Sequence, residues 1–257
     1  MSFMYAVTSS SADAHRKVHT DVRARVQLQG GNARLDYVVG GPMGVSGAHL
    51  IVKASPRQFA IVHAKDKQVT IMDAVQFGSG VDALMNDSTI TLHVTRANLS
   101  FRDMGAGGEI LGYRTRRVRF YNTSDMEVNV RGMTQRSSST DSSDQWIVVV
   151  PDGDEASLTT WNKSFSIGMK TTNPELTAEF AKYQKAYGRQ ALALRSITWS
   201  NTIDGKGRVT SDVVAMVVTD LRTVDSNPKV FAIPDGYRVT NLAESGVGGG
   251  VRTKPTE

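Results

Sequence analysis

Apolar and polar residues alternate with a period of two along most of the chain, the spacing of a strand that buries one face. Strand-like sequence begins almost at Met1. Between Asp21 and Gln29, Val22, Ala24, Val26 and Leu28 alternate with Arg23, Arg25, Gln27 and Gln29. Leu35, Tyr37 and Val39 continue the pattern across Gly30-Gly31-Asn32, whose glycines suit the positive φ of a tight hairpin. Further strands are predicted over His49 to Ala54, Gln58 to Ala64 and Gln68 to Ala74, broken by Ser55-Pro56-Arg57 and Lys65-Asp66-Lys67, which reads as a meander. Thr89 to Arg102, Tyr113 to Asn122, Glu127 to Thr134 and Gln145 to Val150 extend the series. Arg195 to Ile203 and Thr210 to Leu221 add two more, joined by Asp204-Gly205-Lys206-Gly207.

The period changes once. Asn173 suits a helix cap, Pro174 the first helical position and Glu175 the positive end of the helix dipole. Leu176, Phe180, Tyr183 and Tyr187 then recur at helical spacing and give one aromatic-rich face. The helix is expected to end near Gly188 or about a turn beyond, through Ala191, Leu192 and Leu194. Shorter helices are suggested over Val81 to Met85 and Ala12 to His19. The polar run Ser137 to Ser143 reads as a long loop between strands, and the glycine-rich tail 243–257 as flexible.

Composition changes this picture little. With 40% hydrophobic and 21% charged residues the chain has the make-up of an ordinary globular protein, which sets aside disorder, fibres and coiled coils. The absence of cysteine excludes disulfides, thiolate metal sites and cysteine nucleophiles. A net charge of +5 favours anionic surfaces only mildly and is no nucleic-acid footprint. No stretch has the run of apolar residues that a spanning helix needs. The start lacks the features of a signal peptide, and strand-like sequence so close to Met1 is what is expected if a leader has been removed and replaced by a short start.

Candidate chemistry is sparse. Gly105-Ala106-Gly107-Gly108 lacks the following helix that a phosphate-cradling loop requires, so a turn is predicted there. Gly44-Val45-Ser46-Gly47-Ala48 falls short of a nucleophile elbow, missing both the last glycine and the helix. His15 and His19 have the spacing of a two-histidine metal site without the accompanying glutamate, whereas His49, His63 and His93 lie singly on strands. Arg114, Arg116, Arg117 and Arg119 combine charge with Tyr113, Phe120 and Tyr121. Alternation splits the arginines between two faces, which favours a solvated strand over a nucleic-acid or lipid-headgroup site. Carboxylates gather in turns such as Asp152-Gly153-Asp154-Glu155. No catalytic residue, metal ligand or cofactor is therefore assigned.

Aromatic residues are the remaining signal. Phe59, Tyr113, Trp146, Trp161, Phe165, Phe180, Tyr183, Trp199 and Phe231 either build a core between sheet and helix or line an apolar cleft beside that helix. Three further stretches, Gly112 to Phe120, Asp144 to Asp152 and Phe231 to Val239 with its Phe-Ala-Ile-Pro-Asp-Gly-Tyr core, resemble an exported bacterial domain family of unassigned function. That family has the half-barrel fold of the lipoprotein-localisation factors. The resemblance implies a mostly β (α+β) protein: a strongly curved antiparallel sheet wrapped as a half-barrel around one main helix and one or two short ones. It also implies residence in the periplasm or cell envelope, and it carries over no catalytic residues.

The expectation is a single domain over residues 1–242 that binds or carries a lipid-like ligand without catalysis. It would not span a membrane, would bind no nucleic acid, and would take an apolar ligand or an envelope protein as partner. The alternatives are a structural or interaction protein with a self-filled core, and a hydrolase whose site is not visible in sequence.

Overall fold

The computed structural model describes residues 1–12, 17–40, 47–54, 57–73, 90–130, 133–149, 158, 174–187 and 191–241. Their strands are β1 (Ser2–Ala12), β2 (Lys17–Gln29), β3 (Asn32–Val39), β4 (Ala48–Ala54), β5 (Arg57–His63), β6 (Gln68–Asp73), β7 (Ile90–Ile110), β8 (Tyr113–Val130), β9 (Met133–Val149), β10 (Ala191–Asp204), β11 (Val209–Arg222) and β12 (Arg238–Asn241). A helix, α1 (Pro174–Tyr187), precedes β10, and a 3₁₀ turn spans Pro228–Phe231. All strands belong to one curved sheet in the order β12-β6-β5-β4-β3-β2-β1-β11-β10-β9-β8-β7, which is not closed into a barrel. Pairing is antiparallel except at one edge, where β12 runs parallel to β6.

Turn chemistry explains the connections. Gly30 and Gly31 take φ of 57° and 83° between β2 and β3, a conformation that costs a residue with a Cβ. Between β10 and β11 the Asp204 carboxylate accepts from the backbone N–H groups of Lys206 and Arg208, both at 2.9 Å.

The principal core includes the apolar face that alternation predicts for β2 and β3. Phe3, Ala24, Val26, Leu28, Leu35, Val52, Phe59 and Ile61 are buried together and are joined by Leu192, Leu194 and Val218. The intervening positions of β4 to β6 build a second core on the opposite face, where Ile51, Ala60, Val62 and Val69 meet Phe231. The 3₁₀ turn is held there by Asn227 Oδ1, which accepts from the Lys229 N–H at 3.2 Å, and by Arg34 Nη1, which donates to the Val230 carbonyl at 2.8 Å.

Several elements differ from the sequence pattern. Ser137 to Ser143 is no loop but the centre of β9, hydrogen-bonded to β8 on one side and β10 on the other. Its short polar side chains pair laterally: Thr198 Oγ1 donates to Ser143 Oγ at 2.9 Å, and Asp141 accepts from Ser139 and Asn122, each at 2.9 Å, and from Ser200. Tyr113 to Asn122 and the first part of Glu127 to Thr134 fuse into β8, with β9 beginning at Met133. Gly105 to Gly108 is a bulge inside β7, where Gly105 and Gly108 take φ of 86° and 82°. The chain turns instead at Leu111-Gly112, with φ of 53° and 79°.

Ala191, Leu192 and Leu194 belong to β10 rather than to α1, because pairing with β9 and entry into the principal core outweigh their helix propensity. Lys17, Val18 and His19 open β2, and Ala12 closes β1, so those residues are extended and not helical. Val81 to Met85, Asn173 and the tail 243–257 lie outside the described residues.

Candidate functional site

Cross-strand register shows which side chains share a face. One unbroken row runs from Ser9 through Val214, Thr198, Ser143 and Phe120 to Phe101. Ser9 shares its face of β1 with Phe3 and Tyr5, so this row and the principal core both occupy the inner face of the sheet. At the far end of the row α1 lies on β7 and β8. The Tyr183 ring sits 5.7 Å from Phe101 and 5.1 Å from Phe120, edge-on to both, and Tyr187 is 6.3 Å from Phe101. Burial, helped by the neighbouring Tyr187 hydroxyl, pushes the Tyr183 phenol up to about 12. Tyr187 donates to Asp103 Oδ2 at 2.7 Å, and Arg116 Nε reaches the same oxygen at 2.5 Å.

Between the helix and the principal core the inner face is a strip of β9, β10 and β11. Its floor carries Ser143, Thr198, Ser196 and Gln145, with Val214 and Met216 on the core side, all half-buried. Outer-face neighbours on β10 and β11, such as Trp199 and Val213, are more exposed. The strip is thus walled by aromatic rings at one border and by Tyr5 and the core at the other, over a hydroxyl-rich base. Burial, with a contribution from Tyr37, also pushes Tyr5 up to about 12.

The outer face of the same strands carries a charged stack. Trp146 lies between two guanidinium groups, with Arg117 at 5.3 Å and Arg195 at 4.8 Å from the ring centroid. Two residues earlier on β9, Asp144 is 1% exposed and accepts from Arg119 Nε at 2.5 Å, from Arg119 Nη2 at 2.6 Å and from Arg117. Hydrogen bonds from Arg119, with Arg117 adding to them, outweigh burial and hold the Asp144 carboxyl below the usual carboxylate range. The β7 bulge presses on this stack: a Cβ at Gly107 would meet Thr115 Oγ1 at 2.6 Å and Trp146 Cδ1 at 2.9 Å.

The aromatic residues proposed from sequence separate into distinct places. Phe59 is in the principal core and Phe231 in the second, on opposite faces of the sheet. Tyr183 belongs to the helix cluster, and Phe180 is on α1 with its side chain outside the description. Tyr113 is exposed at the start of β8. Trp146 and Trp199 share the outer face. Trp161 and Phe165 lie outside the described residues. Sequence reasoning missed Phe101, Phe120 and the floor hydroxyls, since only pairing across five strands places them side by side; the alternation of Phe120 with Arg119 and Tyr121 was their one visible signal.

Among the described residues the histidine with a charged partner is His49, whose Nδ1 lies 2.5 Å from Asp36 Oδ1 beside Arg34. Among the described residues no histidine is hydrogen-bonded to a serine, and no cluster of three potential ligands could hold a metal. Ser46 and His15 are not among them, and the His93 side chain lies outside the description.

Fold and faces together define a mostly antiparallel β protein built on one open, curved sheet. No helix among the described residues is long and apolar enough to cross a membrane. No family model and no curated protein matches the chain. Among solved structures it is similar to PNGF-II in two crystal forms, over 93% of its length, at 10% and 9% identity and TM-scores of 0.30 and 0.27. The chain spans 31% of that protein's length, and a likeness at this level transfers neither fold nor activity.

Proposed function

We propose that this chain is a non-catalytic cell-envelope protein that binds or carries a lipid-like ligand on the inner face of its sheet, between α1 and the principal core. The sheet would curl about α1 as a half-barrel, as the family resemblance implies. One observation carries the proposal: the aromatic helix and the principal core stand on the same sheet face, separated by a half-buried strip. An acyl chain would lie against Phe101, Phe120 and Tyr183, and the hydroxyls of Ser143 and Thr198 would take its polar end. A buried methylene contributes about 0.8 kcal/mol, so about ten of them sustain micromolar binding after the losses of association.

Native mass spectrometry of protein purified from its own host, followed by lipid extraction, tests this. A co-purifying acyl species is expected. Uniformly empty protein that also takes up no acyl probe overturns it. A second reading, an interaction protein whose inner face is filled by its own helix, draws on the close packing of Tyr183 onto Phe101 and Phe120. Empty protein that holds a stable envelope partner in pull-downs selects it.

A further inference from the structure

The outer face of β10 and β11 leaves a row of large apolar side chains in water. Trp199 pairs with Val213 and Ile203 with Val209 across the two strands, and Val217 pairs with Arg195. Trp199 is 37% exposed and Ile203 47%, and the three valines are exposed as well. Directly opposed pairs on one face have Cβ atoms about 5 Å apart, so Trp199 and Val213 run on through the half-buried Ile197–Ala215 pair to Val217 as one patch, while the exposed Asn201–Ser211 pair sets Ile203 and Val209 apart from it. Soluble domains rarely leave such a patch uncovered unless something docks on it.

The charge beside the patch identifies the occupant. Asp21, Asp125, Glu127 and Asp144 share this face, and each is held by an arginine: Arg23 at 3.4 Å, Arg96 at 2.9 Å, Arg136 at 2.8 Å and Arg119 at 2.5 Å. Arg195 and Arg102 have no ion pair among the described residues, and Arg117 shares the one carboxylate already taken by Arg119. The face is therefore cationic as well as apolar. Tyr121 and Trp199, both exposed, flank Ser142 in the same row. Aromatic rings with an apolar body and a polar edge, set next to arginines, match the boundary between acyl chains and anionic headgroups. A second copy of this chain would bring the same surplus of positive charge against itself.

We propose that the outer face of β8 to β11, centred on Trp199 and Arg195, docks on the surface of an anionic phospholipid bilayer. The inner face stays free in that pose, so docking is independent of ligand uptake.

The full chain is mixed with vesicles of phosphatidylglycerol and phosphatidylcholine in equal parts, and with pure phosphatidylcholine vesicles, and bound protein is measured by sedimentation. Binding to the anionic vesicles alone, released by raised salt, is expected. Arg195→Glu and Trp199→Ser should each weaken it about ten-fold, while their circular dichroism stays that of the wild type. Should either variant not fold, brominated lipid serves instead: wild-type tryptophan emission is quenched on anionic vesicles, and Trp199→Phe loses most of that quenching. Equal binding to both vesicle types, no binding, or binding that neither variant changes overturns the proposal. So does a concentration-dependent dimer that Trp199→Ser abolishes without any vesicle binding. Protein that docks yet emerges from the salt wash without lipid supports docking while counting against inner-face uptake.

Discussion

Asp144 shows how a polar residue comes to be buried on a strand face whose earlier positions, Ser138 and Thr140, are exposed. Its carboxylate spans Arg117 and Arg119, two positions apart on β8, and the guanidiniums in turn keep part of their own surface wet or stacked on Trp146. Asp144→Asn keeps the shape but leaves two arginines without a counter-charge, and a loss of about 2 kcal/mol in chemical denaturation at neutral pH is expected. The pH dependence has a definite sign. The carboxyl is held below its unfolded value of about 3.9, so its contribution is complete above that pH and is lost as pH falls through the folded value. Denaturation midpoints between about pH 5 and about pH 2 should therefore fall more steeply in the wild type than in Asp144→Asn. Gly107→Ala tests the same stack sterically. The added methyl has no room against Thr115 and the Trp146 ring, and a destabilisation of about 1–3 kcal/mol is expected from thermal unfolding.

At the scale of elements, β9 depends on its neighbours and not on its own propensity. Serine-rich sequence is a poor strand former in isolation, but β8 and β10 supply ladder partners on both sides and Asp141 gathers the hydroxyls. Ser139→Pro should abolish folding or cost about 3 kcal/mol or more by removing an interior ladder donor, which circular dichroism and denaturation would detect. Ser138→Thr, on the exposed outer face, should be silent; a silent Ser139→Pro would restore the loop expected from sequence. Attachment of α1 is tested by Phe120→Ala, which removes the ring beneath Tyr183 and should expose the helix to limited proteolysis. Alkali acts in the same sense. The Tyr183 phenol is raised from 10.0 to about 12, so the packed form is fully favoured below the lower value and weakens as pH climbs towards the upper one. Phenolate absorbance should rise together with loss of the helix.

For the whole molecule, the sheet works as two regions with different support. β1 to β6 are packed on both faces in places. By contrast, β8 beyond Val118, β9 before Asp144, β10 beyond Leu194 and β11 before Val218 carry no fully buried side chain among the described residues. Leu35→Ala, deep in the principal core, should cost about 2–5 kcal/mol and unfold the entire sheet in one transition. Hydrogen exchange on the same protein is expected to be slowest at β2 and β3 and fastest at the far ends of β9 and β10.

Alternation along β2 and β3 was legible because one face of each strand is buried, and a period of two records that asymmetry directly in residue type, whereas β4 and β5, buried on both faces, read as short apolar runs. The helix at Pro174 and the hairpin at Gly30-Gly31 were equally open to reading, since the proline at the first helical position and positive φ at glycine act within a few residues. Local chemistry alone left hidden the strand at Ser137 to Ser143, the bulge at Gly105 to Gly108 and the meeting of Phe101, Phe120 and Tyr183. Hydrogen-bond partners far along the chain decide those features, and nothing in the short-range pattern carries their register. The two faces of β8 to β11, one hydroxyl-lined beside a helix and one apolar beside arginines, exist only once that register is set.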